Sequence, residues 1–377
     1  MSQRIENIRT TLEMNELDAT IAISPWNVLY FSGANIMTTS TLPDRIALAA
    51  IPKAGNPFMV VNSIEESFTR DNSWITDIYS YVGGEFFVED PTAILAQQLK
   101  ELGVGQGRLG IEKKRWSVFY YEYLKKTLPD AQFIEFEPEI AKLRMIKEPE
   151  EIQVLEQFAR DTTDSIVKAY ETTSLGEREV DIAARMIQNL AAHGMDQMVF
   201  LCLGSGENSI HPHAFPSERV IEPGDAIRVD YGGLRGGYFS DCVRMAFGGG
   251  PNREQTRIYK GVVAGQQAAI EAIKPGIEVS CLYEACKAAF KEQGVTFHFP
   301  HIGHGMGLEL HELPMIVPAS AGELSKMRLE EGMVLNIEPG YFLGKEGFHI
   351  EDLVLVTSDG YRPLTDLDQR QEPIVIK

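Results

Sequence analysis

The chain reads as a two-domain α/β (α+β) protein. An N-terminal α/β domain over residues 1–140 precedes a C-terminal domain over 141–377 built from pseudo-twofold αβ repeats. Three observations predict this. The 377 residues are 44% hydrophobic and 24% charged, ordinary for a globular chain and enough for about two domains at roughly 150 residues each. Short apolar runs alternate with amphipathic segments through the first half. Near residue 140 the texture changes, and a helix–Gly–helix–Gly–strand pattern then occurs twice.

In the first half, strands are expected at Asp18–Ser24, Arg45–Pro52, Pro57–Ser63, Ile75–Tyr81, Arg108–Glu112 and Gln132–Phe136. Helices are expected at Arg4–Asn15, Thr92–Leu102 and Ser117–Thr127, each bounded by Gly, Asn or Pro signals. Such alternation implies a sheet covered by helices. The glycine clusters Gly83-Gly84 and Gly103-x-Gly105-x-Gly107 fit neither a Walker nor a dinucleotide pattern. This half offers no chemistry of its own.

A long helix is expected from Glu150 to Thr173. Pro149 suits the first helical position, and Glu150 and Glu151 face the positive helix end. Gly176, a helix at Glu179–His193, Gly194 and an apolar strand complete the first unit. Arg253–Lys274, Gly276, Ser280–Gln293, Gly294 and a further strand form its counterpart. Downstream, Ile221 to Gly232 aligns with Leu329 to Gly340. In each copy a Gly turn feeds an apolar strand that ends on a carboxylate, Asp230 or Glu338. A second carboxylate follows, Asp241 or Glu351. Two strand pairs with two acids each predict a pseudo-twofold site between them.

Charge and cysteines narrow the function classes. Lys+Arg 35 against Asp+Glu 54 leaves a net charge of −19, which repels phosphate backbones and anionic bilayers. No nucleic acid and no membrane is expected as a partner. No apolar run reaches the ~18 residues of a membrane span, and the N-terminus lacks the apolar region of a secretory signal. The four cysteines have neither framework density nor CxxC spacing. A cytoplasmic location is expected.

The acids carry the chemistry. Carboxylates amid buried β-structure must be neutralised by a cation or by protonation. Four that converge repel one another unless divalent metal offsets them, and two divalent ions balance four carboxylates. Three histidines flank these strands. His304 lies in a glycine-rich turn, Gly303-His-Gly-Met-Gly307, where small neighbours permit close approach of a ligand. His311 follows it, and His213 sits in His211-Pro-His-Ala-Phe-Pro216. One imidazole as a fifth ligand and two lining the pocket account for the grouping. His311-Glu312 lacks the second His of an HExxH zinc helix, and GxSxG is absent. A metal-activated nucleophile is left.

Asp230-x10-Asp241, His304, Glu338 and Glu351 resemble the metal-ligand set of the pita-bread metallopeptidases (peptidase M24): methionine aminopeptidase, aminopeptidase P, prolidase and their metal-free cousin creatinase. Leu143-Arg-Met-Ile-Lys-x-Pro-Glu-Glu-Ile, Gly237-Tyr-x-Ser-Asp-x-x-Arg244, Gly303-His-Gly-x-Gly-Leu-x-x-His-Glu-x-Pro314 and Glu338-Pro-Gly support the likeness. Asn27-Val-Leu-Tyr-Phe-Ser-Gly33 resembles the creatinase-type N-terminal domain, which methionine aminopeptidases lack. Together they point to the Xaa-Pro branch, aminopeptidase or dipeptidase (prolidase).

The resemblance implies two divalent ions held by Asp230, Asp241, His304, Glu338 and Glu351. Oxygen-rich ligation with one imidazole favours Mn²⁺, with Co²⁺ or Zn²⁺ as substitutes. It implies attack of a metal-bridging hydroxide on the Xaa-Pro bond of a small peptide, with Glu338 shuttling the proton and His213 and His311 donating hydrogen bonds. A homodimer is the expected assembly. Three positions depart from the family pattern. Pro300, with His301 beside it, stands where a His is frequent, and Met315 and His349 stand where Arg is frequent. They weaken the expectation of strict dipeptidase specificity. Hydrolysis of a small non-peptide amide, as in creatinase or ectoine hydrolase, is the alternative on the same fold. A non-catalytic binding module fits the intact ligand set least.

Overall fold

Capped helices and short apolar strands build the N-terminal unit, which runs to Arg144. The structure is a computed structural model and describes residues 2–42, 44–84 and 87–377. The six strands expected here form one sheet in the order Asp77–Tyr81, Phe58–Asn62, Leu48–Pro52, Ala19–Ala22, Arg108–Ile111, Gln132–Glu135. Ala19–Ala22 runs antiparallel to Leu48–Pro52 and parallel to Arg108–Ile111. Ile21, Leu48, Val60, Leu95, Leu109 and Leu124 form its core. Helices at Pro25–Ser32, Glu66–Asn72 and Glu137–Met145 join those expected. Ser24 caps the first of them and Gly33, at φ 80°, ends it in the left-handed region. Glu112 is buried and accepts from the amides of Ile23 (2.6 Å) and Ser24 (3.0 Å) and from Asn27 Nδ2 (2.7 Å). This carboxylate ties the end of one strand to the cap of the next helix.

The second unit starts at Met145. Pro149–Glu171 begins with proline as expected, and the Glu151 side chain reaches back to the Glu148 amide at 2.9 Å. It pairs with Glu179–Ala192, and Arg253–Glu271 pairs with Val279–Glu292. Each helix pair covers its own sheet. Leu155, Phe158, Ile182 and Met186 pack on Leu203, Ile227 and Val229. Val262, Ile270, Leu282 and Phe290 pack on Leu335, Ile337 and Val354.

The repeat extends to single hydrogen bonds. Gly176 and Gly276, at φ 90° and 84°, turn the chain identically. Their amides donate to Ile221 O (3.0 Å) and Leu329 O (2.7 Å), aligned positions of the two copies. One expectation fails: no strand follows Gly294. Residues 295–301 run without ladder partners, and pairing begins at Ile302, whose amide donates to Ile316 O at 3.0 Å, just before the short strand Gly303–Gly305. Pro300 cannot donate to a ladder, and the rings of Phe297, Phe299 and His301 pack among aromatic neighbours instead.

The first sheet is ordered Tyr238–Phe239, Ala226–Arg235, Cys242–Gly248, Ile374–Ile376, with Gln197–Ser205 along the other edge of Ala226–Arg235. The second runs Glu312–Met315, Gly303–Gly305, Val334–Ile337, Asp352–Val356, Tyr361–Pro363. A single antiparallel bridge, Val243 to Glu351, joins the two sheets. The last strand also crosses over: Ile374–Ile376 lies parallel to Cys242–Gly248, and Lys377 O accepts from Leu175 N at 3.0 Å.

Candidate metal centre

Asp230 lies mid-strand in Ala226–Arg235, opposite Val243. Asp241 immediately precedes Cys242–Gly248, Glu338 immediately follows Val334–Ile337, and Glu351 immediately precedes Asp352–Val356. Three of the acids therefore stand at strand ends, while Asp230 sits within a strand that runs on to Arg235 instead of ending on it as expected. His304 completes the set from Gly303–Gly305, opposite Asn336. It stands in a strand, not in the glycine-rich turn expected for it. The glycines serve close strand approach: a Cβ on Gly303 would run into Asn336 O, and one on Gly305 into Leu313 O.

Asp241, His304, Glu338 and Glu351 are buried and Asp230 is half-buried. Ligand atoms of Asp230, Asp241 and Glu351 lie within 4.8 Å of one another, as do those of His304, Glu338 and Glu351. His304 Nε2 is 3.6 Å from Glu338 Oε1, 3.8 Å from Asp241 Oδ2 and 4.0 Å from Glu351 Oε1. Its Nδ1 is 2.9 Å from Gly305 O. A carbonyl only accepts, so Nδ1 carries the proton and Nε2 turns a lone pair towards three carboxylates. Burial, with His311 alongside, holds the imidazole down to about 3, so it is neutral.

That arrangement suits a cation. Asp230 Oδ1, Asp241 Oδ1, Glu338 Oε1, Glu351 Oε2 and His304 Nε2 are all buried without a hydrogen-bond partner. Burial raises the Asp241 and Glu351 carboxyls well above their ordinary range, and neighbouring carboxylates add to it. Burial also raises Asp230, opposed by His349 and Arg228, and Glu338, opposed by His301, His311 and His213. A pocket of acceptors, mostly oxygen with one nitrogen, matches hard or borderline divalent ions. A third group of ligand atoms, from Asp241, His304 and His311, overlaps the two that share Glu351.

His311 is exposed, with its ring centroid 4.1 Å from that of His304. His213 is exposed on the 211–216 loop, near enough to act on the charge of Glu338 and of His349. His349 Nε2 lies 3.0 Å from Glu338 O and 3.3 Å from Glu338 Oε2, and His301 Nδ1 lies 3.5 Å from Glu338 Oε1. The rings of Phe299 and Phe342 stack at 5.6 Å and flank His349. Imidazoles of His301 and His349 thus flank Glu338, and phenyl rings back His349.

Supporting residues had no role assigned from the sequence, although Lys147, Arg244 and Glu312 stand in the motifs quoted above. Asn336 Nδ2 donates to Glu351 Oε1 at 2.6 Å and to Asp241 O at 3.3 Å. Arg244 donates to Glu351 O at 2.8 Å and pairs with Asp352 at 2.7 Å, which also holds Arg370 at 3.1 Å. Lys147 and Glu312 form a buried pair at 2.8 Å, and Glu312 accepts from the amides of Leu308 and Glu309, fixing the turn before His311. Arg228 is fully buried beside Asp230. The signal for two of these was present: Arg228 and Asn336 are aligned by the repeat, each a polar residue two positions before its acid in an apolar strand.

The chain is similar to known proteins over nearly its whole length. Residues 152–358 match metallopeptidase family M24, and residues 4–146 match the creatinase/prolidase N-terminal domain. An Xaa-Pro dipeptidase of Pyrococcus furiosus is 31% identical over 98% of this chain and 99% of that protein. An Xaa-Pro dipeptidase of Lactobacillus helveticus is 29% identical over 99% of each. The solved prolidase of Pyrococcus horikoshii superposes with a TM-score of 0.83 at 29% identity, covering 97% of this chain and 98% of that one. The chain belongs to metallopeptidase family M24, with a creatinase-type N-terminal domain ahead of its pita-bread domain.

Proposed function

We propose that this protein hydrolyses the Xaa-Pro bond at the N-terminus of dipeptides or short peptides, using two divalent ions, Mn²⁺ foremost, held by Asp230, Asp241, His304, Glu338 and Glu351. The carrying observation is the buried set of unpaired acceptors on these five residues. Relatives named Xaa-Pro dipeptidase that match over nearly the whole chain support the substrate class. Bound divalent ions lower the pKa of a water and polarise the scissile carbonyl. With the ions bound, Glu338 would take a proton from the attacking water and pass it to the leaving nitrogen. His311 and His213 donate hydrogen bonds as charge develops on the carbonyl oxygen. Their exposure leaves both imidazoles open to a substrate.

Among the described residues no helix is long and apolar enough to cross a membrane. Cys202, Cys242, Cys281 and Cys286 are free thiols, which supports a reducing, cytoplasmic setting. A homodimer belongs to the same reading. A second reading, hydrolysis of a small non-peptide amide, is favoured by Met315 and His349, which leave a substrate carboxylate without those two cationic partners.

The test is Mn²⁺-supplemented turnover of an Xaa-Pro dipeptide, an Xaa-Pro-Yaa tripeptide and their Ala-for-Pro counterparts. Dipeptide preference supports a prolidase, and tripeptide preference an aminopeptidase. Stoichiometric metal with no turnover of any of the four selects the non-peptide amide.

A further inference from the structure

Arg228 is an expensive residue in its place. It stands in the apolar strand Ala226–Arg235, is 0% exposed, and shares a strand face with Asp230 two positions on. Its Nη1 lies 3.9 Å from Asp230 Oδ2, and its Cζ lies 5.6 Å from the centre of the Phe342 ring. Burying a guanidinium costs several kcal/mol unless it is paired, and an aliphatic residue would suit the strand better. What it does hold is backbone. Nη2 donates to His211 O at 2.8 Å and to Pro212 O, the two carbonyls just before His213.

The residues just ahead of this segment are held as well. Gly347 N donates to Ser209 Oγ at 3.0 Å, and a Cβ on Gly347 would run into Ser209 O. Within the segment, His211 N donates to Asn208 O and Ala214 N to His211 O, both at 3.2 Å. An exposed imidazole thus follows a backbone held at Ser209 and again at residues 211 and 212.

We propose that Arg228 is the positioning residue for His213: rooted in the strand that carries Asp230, it clamps the carbonyls of residues 211 and 212 and so sets where the imidazole stands over the carboxylate cluster. The repeat gives the two units different uses for one position. Asn336 turns inward to a site carboxylate, and Arg228 turns outward to the loop. This role rests on the proposed part of His213 in the reaction, and the test separates the two.

In Arg228→Met, kcat on the preferred Xaa-Pro substrate should fall ~10- to 100-fold, the scale of a small misplacement of a reacting group, with metal stoichiometry unchanged. In a His213→Ala background the same change should cost less than about twofold, because residues acting through one group are not additive. Arg228→Lys, whose ammonium also donates to carbonyls, should recover part of the loss. Hydrogen exchange gives a readout independent of turnover: the amides of His211 and Ala214 should exchange faster in Arg228→Met. An equal loss of kcat in both backgrounds, or unchanged exchange at those amides, overturns the proposal. If Arg228→Met does not fold, Gly347→Ala displaces the loop at Ser209 and must show the same non-additivity with His213→Ala. Wild-type protein without peptide turnover, but with faster exchange in Arg228→Met, would retain the clamp and reject the reaction.

Discussion

At His304 one hydrogen bond decides the chemistry. With Nδ1 committed to Gly305 O, Nε2 offers its lone pair to a space walled by carboxylates. Replacing Asp241 or Glu338 with Ala removes an acceptor that faces this space, and turnover should be lost. Metal analysis of Asp241→Ala should show a deficit, and a full complement with normal rate would refute the site. His311→Ala is different, because the residue is exposed. Its loss should lower kcat by roughly 10²–10³-fold, as for an oxyanion donor, while metal content measured by atomic absorption holds. Asn336→Ala should weaken Mn²⁺ binding ~10- to 100-fold by calorimetry, since residues that orient ligands matter nearly as much as ligands. The acids were legible because a carboxylate inside an apolar strand asks for an explanation. Asn336 and Arg228 asked for one as well, but their partners, Glu351 and the carbonyls of residues 211 and 212, are not written in the local pattern.

Elements place these residues through close backbone contact. Gly303 has φ 155°, and any Cβ there meets Asn336 O. Gly303→Ala should destabilise the fold by ~1–3 kcal/mol, the usual cost of a strained backbone position, and chemical denaturation would measure it. Most element bounds were legible within a few residues, because Pro149, Gly176, Gly276 and the serine caps act through neighbours in sequence. The two misreadings share one cause. The stretch after Gly294 reads as a strand and 303–307 as a turn, yet ladder pairing depends on what lies across, and partners begin only at Ile302 and Gly303–Gly305. Local patterns carry no record of the opposite strand.

On the scale of the molecule, four carboxylates brought together from two repeats work against folding until a cation joins them. Chelator treatment should therefore lower the melting temperature. An ion at ~100 times its Kd stabilises by about 2.7 kcal/mol, so a drop of roughly 5–10 °C is expected for a unit of this size. Mn²⁺ should restore it, and calorimetric scans with and without chelator would decide. The repeat was legible as matched glycines and acids. The bridge from Val243 to Glu351 that joins its halves was not, since one residue from each copy makes it. The returning strand Ile374–Ile376 has a practical side for anyone preparing this protein. It is sewn into the sheet that bears Asp230, with Ile376 buried and the Lys377 carbonyl already engaged by Leu175. Whatever displaces residues 374–376 during handling therefore disturbs the sheet that carries Asp230.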